Sequence, residues 1–157
     1  MLGDTIFQGR PNCTRGLVEI FNEKKSSVFA VEKIKREDTK RYGVVSGKQI
    51  REDLLLIDEL VEKPEPADAP SLLGIQGRYI FTPDIFSHQR EINSGTGGEI
   101  QLTDAMQSLA QSSKMYSWTF GGRRYDIGTM KDWFQSHLEL SSQSEFSPVL
   151  NEVINKL

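Results

Sequence analysis

Apolar positions along the chain fall into runs whose spacing switches between that of a helix and that of a strand. Leu17, Ile20 and Phe21 recur at helical spacing and predict a helix over residues 14–23. Val28-Phe29-Ala30-Val31 is a continuous apolar run and predicts a buried strand over 26–34. Helix followed by strand is the signature of an α/β fold with parallel pairing. Residues 41–45 and 49–50 flank Ser46-Gly47, which reads as a hairpin turn. A strand over 54–61 follows, and Pro64, Pro66 and Pro70 mark a stiff surface connection to another strand over 72–81. Thr82-Pro83-Asp84 opens a helix with a cap, a first-turn proline and an acid.

Beyond a loop at 93–98, Leu102, Ala105, Met106, Leu109 and Ala110 share one face of a helix over 99–112. Short strands over 116–120 and 124–127 surround a Gly121-Gly122 turn. Thr129 caps a helix whose Met130, Trp133, Phe134, His137 and Leu138 share a face, which makes His137 a core-edge histidine rather than a ligand. Val149, Leu150, Val153, Ile154 and Leu157 make a last amphipathic helix. The start is the odd part. Met1-Leu2-Gly3-Asp4 reads as the end of a buried strand, yet a strand needs about 5 residues. A loop over 9–12 separates it from the first helix.

Composition narrows the classes. A chain of 157 residues with 37% hydrophobic and 26% charged content suits one globular domain, 1–157. A net charge of -3 and the lack of a long Lys/Arg run argue against nucleic acid. Cys13 is the single cysteine, and His88 and His137 are the two histidines, so neither a disulfide nor a zinc-type cluster is expected. No apolar run has membrane-spanning length and no signal peptide is evident, which points to a soluble, cytoplasmic protein without a membrane partner.

The candidate chemistry lies at strand ends. Glu62-Lys63 closes the strand before Pro64, and alternation sends the two side chains to opposite faces. That is also where α/β sheets gather their ligand-binding loops. On its own the pair reads as solvated charge before a turn. Asp4 follows Leu2-Gly3, and Asp126 stands between Tyr125 and Ile127 ahead of a helix. If the two converge, their carboxylates suit one Mg²⁺ that takes its other ligands from water and phosphate. Singly, Asp126 reads as a turn or capping acid.

Six short motifs in order change the weighting: Leu2-Gly3-Asp4, Arg41-Tyr42-Gly43, Leu60-Val61-Glu62-Lys63-Pro64, Gly77-Arg78-Tyr79, the run from Gly97-Gly98-Glu99-Ile100 to Gln101-Leu102-Thr103-Asp104, and Arg124-Tyr125-Asp126-Ile127-Gly128. Over essentially its whole length the chain resembles the sugar-phosphate nucleotidyltransferase family, in its UTP–glucose-1-phosphate uridylyltransferase branch. The resemblance implies in-line attack of a sugar-1-phosphate oxygen on the α-phosphorus of UTP, giving UDP-glucose and pyrophosphate. It implies that Asp4 and Asp126 bind Mg²⁺, that Glu62 accepts hydrogen bonds from sugar hydroxyls, and that Lys63 contacts the sugar phosphate. It also implies that Gly43 lets the hexose approach bare backbone. No residue is assigned a catalytic role, and residues 99–104 are read as helix initiation and packing. Thr5 stands where the family usually has a second aspartate.

The family's N-terminal Gly-rich loop, its Thr-Arg pair for the UTP phosphates and its base-reading residues have no counterpart in this sequence. The expected fold is therefore the C-terminal part of a doubly wound, mixed-sheet α/β nucleotidyltransferase lacking its first strands. Such a sheet exposes an unpaired edge and apolar faces, so a homo-oligomer, most simply a dimer, or a partner chain is expected to cover them. The expected ligands are a sugar phosphate or nucleotide sugar, with weak or no activity for the chain alone. One half of a split enzyme and a non-catalytic assembly module are the alternatives.

Overall fold

A computed structural model of the chain describes residues 3–92 and 101–156. Its first strand, β1 (Thr5–Gln8), lies where no strand was expected; it is short, half-exposed and pairs only with β7 (Arg123–Asp126), in antiparallel fashion. Helix α1 (Cys13–Lys24) begins at Asn12, whose side chain accepts the Thr14 and Arg15 N–H groups, and ends at Lys25 in the left-handed region. Its Leu17 and Ile20 are buried as the spacing predicts.

The apolar run forms β2 (Ser27–Lys33), which is buried on both faces because two cores meet there. Val28 and Ala30 join Leu17 and Ile20 of α1, together with Trp118 and Phe120. Phe29 and Val31 join the other core with Ile85 of α2 (Ile85–Glu91) and Ala105, Met106 and Leu109 of α3 (Leu102–Ser112). A 3₁₀ turn (Arg36–Arg41) leads into β3 (Gly43–Arg51) and β4 (Leu54–Glu62), followed by β5 (Leu73–Ile80) and, beyond α3, β6 (Met115–Thr119). The sheet order is β2-β5-β3-β4-β6, antiparallel except for the parallel β2–β6 pair. Helices thus cover a mixed sheet on two faces, as expected.

Several details differ, among them the start of α2, where Asp84 and not Thr82 precedes the helix and no side chain caps it among the described residues. The five-stranded sheet closes on itself through β2–β6, so among the described residues none of its strands is a free edge along its whole length; the closure is partial, since β3 meets β5 only at Val44 and Val45 and β4 meets β6 only over Leu54–Leu56, while β1 and β7 pair only with each other. Ser46-Gly47 is not a turn. It lies inside β3 at a register shift, and the hairpin turns at Glu52-Asp53. The expected core face of α4 (Met130–Ser142) is largely in solvent, with Trp133 44% and Phe134 56% exposed and only Ser136 buried. Its His137 is exposed, stacked on Trp133 rather than at a core edge. In α5 (Ser147–Ile154) no residue is buried, and Val149, Val153 and Ile154 are each more than half exposed. The expected loop at 93–98 and the start of the helix expected from 99 lie outside the described residues. No helix among those described is long and apolar enough to cross a membrane.

Candidate functional site

A bulge decides which way the acidic end of β4 points. Gly43 faces Glu62, Val45 faces Leu60 and Ser46 faces Glu59, but Gly47 faces Ile57, so Asp58 has no opposite number. In regular alternation Ile57 and Glu62 would lie on opposite faces, being an odd number of residues apart. The extra residue returns Leu60 to the core that holds Ile57 and puts Glu62 on the α3 side.

Helix α3 then fastens this strand end. Gln107 Oε1 accepts the Leu60 N–H at 2.6 Å, and Thr103 Oγ1 donates to Glu62 Oε2 at 2.5 Å. Gly43 makes the room. A Cβ there would come within 2.9 Å of Ile75 Cδ1, 3.1 Å of Glu62 Oε2 and 3.2 Å of Thr103 Oγ1. Lys63 leaves the strand at φ 45°, where a side chain costs about 1–2 kcal/mol. Its N–H donates to the Tyr42 carbonyl at 3.2 Å. The ammonium stands 3.7 Å from Glu62 Oε1 and is 58% exposed, free to meet an anion. Leu60 to Lys63, with Gln101 and Asp104 from the start of α3, line a cavity of about 600 Å³.

The second hollow adjoins Tyr42. Asp4 sits in the turn before β1 and Asp126 ends β7; the Ile127 N–H donates to the Asp4 carbonyl at 2.8 Å, tying the two termini together. Both carboxylates approach one point, since a Cβ on Gly128 would lie 3.3 Å from Asp126 Oδ1 and 3.5 Å from Asp4 Oδ2. The Thr5 hydroxyl donates to Asp4 Oδ1 at 3.2 Å, a direct support from the residue that replaces the usual aspartate.

Asp126 is more heavily supported. The Gly128 N–H reaches Oδ1 at 3.0 Å, while Arg124 Nη1 and the Tyr42 hydroxyl reach Oδ2 at 3.2 and 3.3 Å. Partial burial opposes the charge, but the Gly128 N–H, Arg124 and Tyr42 outweigh it and hold the carboxyl below the usual range. Arg124 is only 11% exposed, bonds Glu32 at 2.9 Å, and donates to the Tyr42 oxygen at 3.1 Å. Burial opposes its charge as well, and the Glu32 carboxylate more than compensates. Tyr79 reports on both hollows: burial first, then the charges of Glu62 and Asp4, push its phenol up to about 12.

The five residues singled out in the sequence therefore form two adjacent groups, Gly43/Glu62/Lys63 and Asp4/Asp126. Two converging carboxylates, with a glycine where a Cβ would intrude, suit a divalent cation of the Mg²⁺ type. Among the described residues no group of three or more His, Cys, Asp or Glu side chains gathers, so water or phosphate would supply the remaining ligands. The sequence alone assigns no role to Tyr42, Arg124 or Thr103, although each lies inside one of the short motifs. Glu32 and Gln107 carried no signal. Cys13, buried with its thiol pushed up to about 11 mainly by that burial, is a packing residue.

The sequence profile of the nucleotidyl transferase family matches residues 1–143. The UTP–glucose-1-phosphate uridylyltransferase of Pseudomonas aeruginosa is 40% identical over 120 residues, which cover 76% of this chain and 43% of that protein. The Bacillus subtilis uridylyltransferase is 35% identical over 161 residues, covering 99% and 55%. A UDP-glucose pyrophosphorylase complexed with UDP-glucose superimposes with a TM-score of 0.88 at 32% identity, covering 92% of this chain and 56% of that one. The chain spans about half the length of the curated relatives it matches.

Proposed function

Because the chain belongs to the nucleotidyl transferase family, we propose that it carries the sugar-phosphate and metal side of a uridylyltransferase site. The proposed ligands are glucose-1-phosphate and UDP-glucose, the compounds named for its relatives. Glu62 accepts hydrogen bonds from hexose hydroxyls, and the exposed Lys63 ammonium neutralises the phosphate as a point charge. Gly43 keeps the wall between them low. Asp4 and Asp126 hold Mg²⁺, which when bound neutralises charge on the phosphates during in-line displacement. Arg124 and Tyr42 keep Asp126 ionised and aimed. The reaction served is transfer of UMP from UTP to the sugar phosphate. For this chain alone it is expected to be weak, since its relatives use about twice this length.

The observation that carries this reading is the pairing of Glu62 and Lys63 at a cavity of about 600 Å³ beside a converging carboxylate pair. Calorimetric titration with UDP-glucose, with and without Mg²⁺, tests it. Micromolar binding that requires Mg²⁺ and is abolished by Asp126→Ala is the expected result. A folded protein that binds neither UDP-glucose nor glucose-1-phosphate overturns it.

A second reading, compatible with the first, has one specific observation in its favour. The apolar residues of α4 and α5 that stand in solvent, from Trp133 and Phe134 to Val153 and Ile154, fit a self-associating surface. We propose a dimer through this face. Light scattering that finds a monomer across micromolar concentrations removes it.

A further inference from the structure

Among the described residues no side chain caps the start of helix α3, and the threonine in its first turn is spent elsewhere. Gln101 precedes the helix and makes no capping hydrogen bond, while Thr103, 8% exposed, sends its hydroxyl proton to Glu62 Oε2 at 2.5 Å. One turn further on, Gln107 Oε1 takes the Leu60 N–H at 2.6 Å. The two bonds pin a single strand end from one helix, and the missing Cβ of Gly43 leaves the space in which Glu62 and Thr103 meet.

We propose that Thr103 is the positioning residue of Glu62 and thereby sets which hexose epimer the site accepts. A glutamate has a long, rotatable side chain, whereas a β-branched threonine on a helix has few χ1 choices. Fixing Oε2 to the Thr103 hydroxyl leaves Oε1, on the Lys63 side, as the oxygen that faces the cavity. A carboxylate with one oxygen tied and one free presents its acceptor in a single direction, and hydroxyls of one configuration alone meet it well. Gln107 serves the same end at the backbone, holding Leu60 where β4 departs from regular pairing. This inference rests on the proposed role of Glu62 as the acceptor for sugar hydroxyls.

The test compares the full chain with Thr103→Val and Thr103→Ser. Calorimetry with Mg²⁺ gives the affinities for glucose-1-phosphate and its C4 epimer, galactose-1-phosphate, and carbon relaxation reports the order of the Glu62 carboxylate without ligand. Wild type and Thr103→Ser should share one epimer preference and an ordered Glu62. In Thr103→Val the preference should shrink about tenfold, the scale of one hydrogen bond to a charged group, and Glu62 should become mobile. Thr103→Ala removes the same hydroxyl should valine prevent folding. An unchanged preference together with an ordered Glu62 in the hydroxyl-free variant overturns the inference. If no variant binds either sugar phosphate, yet Glu62 loosens only where the hydroxyl is gone, the positioning stands and the ligand reading falls.

Discussion

The two hollows flanking Tyr42-Gly43 are built on opposite electrostatic plans. Around Asp126 the carboxylate is answered by Arg124, Tyr42 and the Gly128 N–H, and Arg124 is itself answered by Glu32. Around Glu62 the described partners are one hydroxyl and one ammonium at 3.7 Å, and that ammonium is mostly in solvent. The first hollow is organised before anything binds. The second keeps unused hydrogen-bonding capacity facing a cavity. On the proposed reading the two walls have separate tasks, because preorganisation suits a small ion and spare donors and acceptors suit a ligand.

The contrast can be broken most severely at Arg124. Arg124→Ala takes the guanidinium from Glu32 and leaves Asp126 with the Gly128 N–H and the Tyr42 hydroxyl, and the expected loss is about 3 kcal/mol, the lower end for breaking a buried pair, read by urea denaturation. A loss no larger than that of an exposed pair would show that the crowded hollow does not support itself. Gly128→Ala puts a Cβ between the carboxylates, and Mg²⁺ affinity should fall about tenfold with little change in stability, as one displaced ligand interaction would produce. Mn²⁺ titration by electron paramagnetic resonance measures it. Lys63→Gly relieves the positive φ and should stabilise the fold by about 1 kcal/mol while weakening sugar-phosphate binding. Gain and loss in one variant would separate strain from charge on the open side.

Acid gives the smallest and most local effect. The Asp126 carboxyl is held below its unfolded value by its partners, so its contribution is fully present above the unfolded pKa, about 4. It disappears as pH falls through the lower, folded value. Asp126→Asn should therefore flatten the acid limb of the stability profile below about pH 4 by lowering the neutral plateau, while stability at the acid end stays close to that of the wild type. An acid limb as steep as that of the wild type would put the effect elsewhere.

Much of this was legible in the chain. The apolar run at 28–31 forced a strand buried twice over, and the spacing of Leu17 and Ile20 or of Ala105, Met106 and Leu109 forced the faces of α1 and α3. Short motifs single out Glu62, Lys63, Asp4 and Asp126 as candidates, and their grouping follows only from the fold. Gly47 misled for a physical reason. A Cβ there would lie 2.1 Å from the Leu56 carbonyl oxygen, so the glycine serves close strand approach beside a bulge, where glycine also belongs, and not a turn. Trp133 and Phe134 misled because helical periodicity shows that a face is apolar and cannot say whether anything lies against it. Strand β1 is too short and too exposed to leave a pattern.

Asp58 has a consequence for how this chain can change length. Because it is the surplus residue between Ile57 and Glu62, removing it restores plain alternation with Leu60 and Glu62 still turned toward α3. Adding one more residue at that place also makes the separation of Ile57 and Glu62 even, so plain alternation again turns Glu62 toward α3, but the pairing slides and Gly43 then faces Leu60 instead of the acid. Strand β4 is thus permissive to shortening at Asp58, whereas lengthening by a single codon keeps the face and loses the register. A gap against a relative at this point would leave the acid opposite Gly43, whereas an insertion would carry it two residues past that glycine.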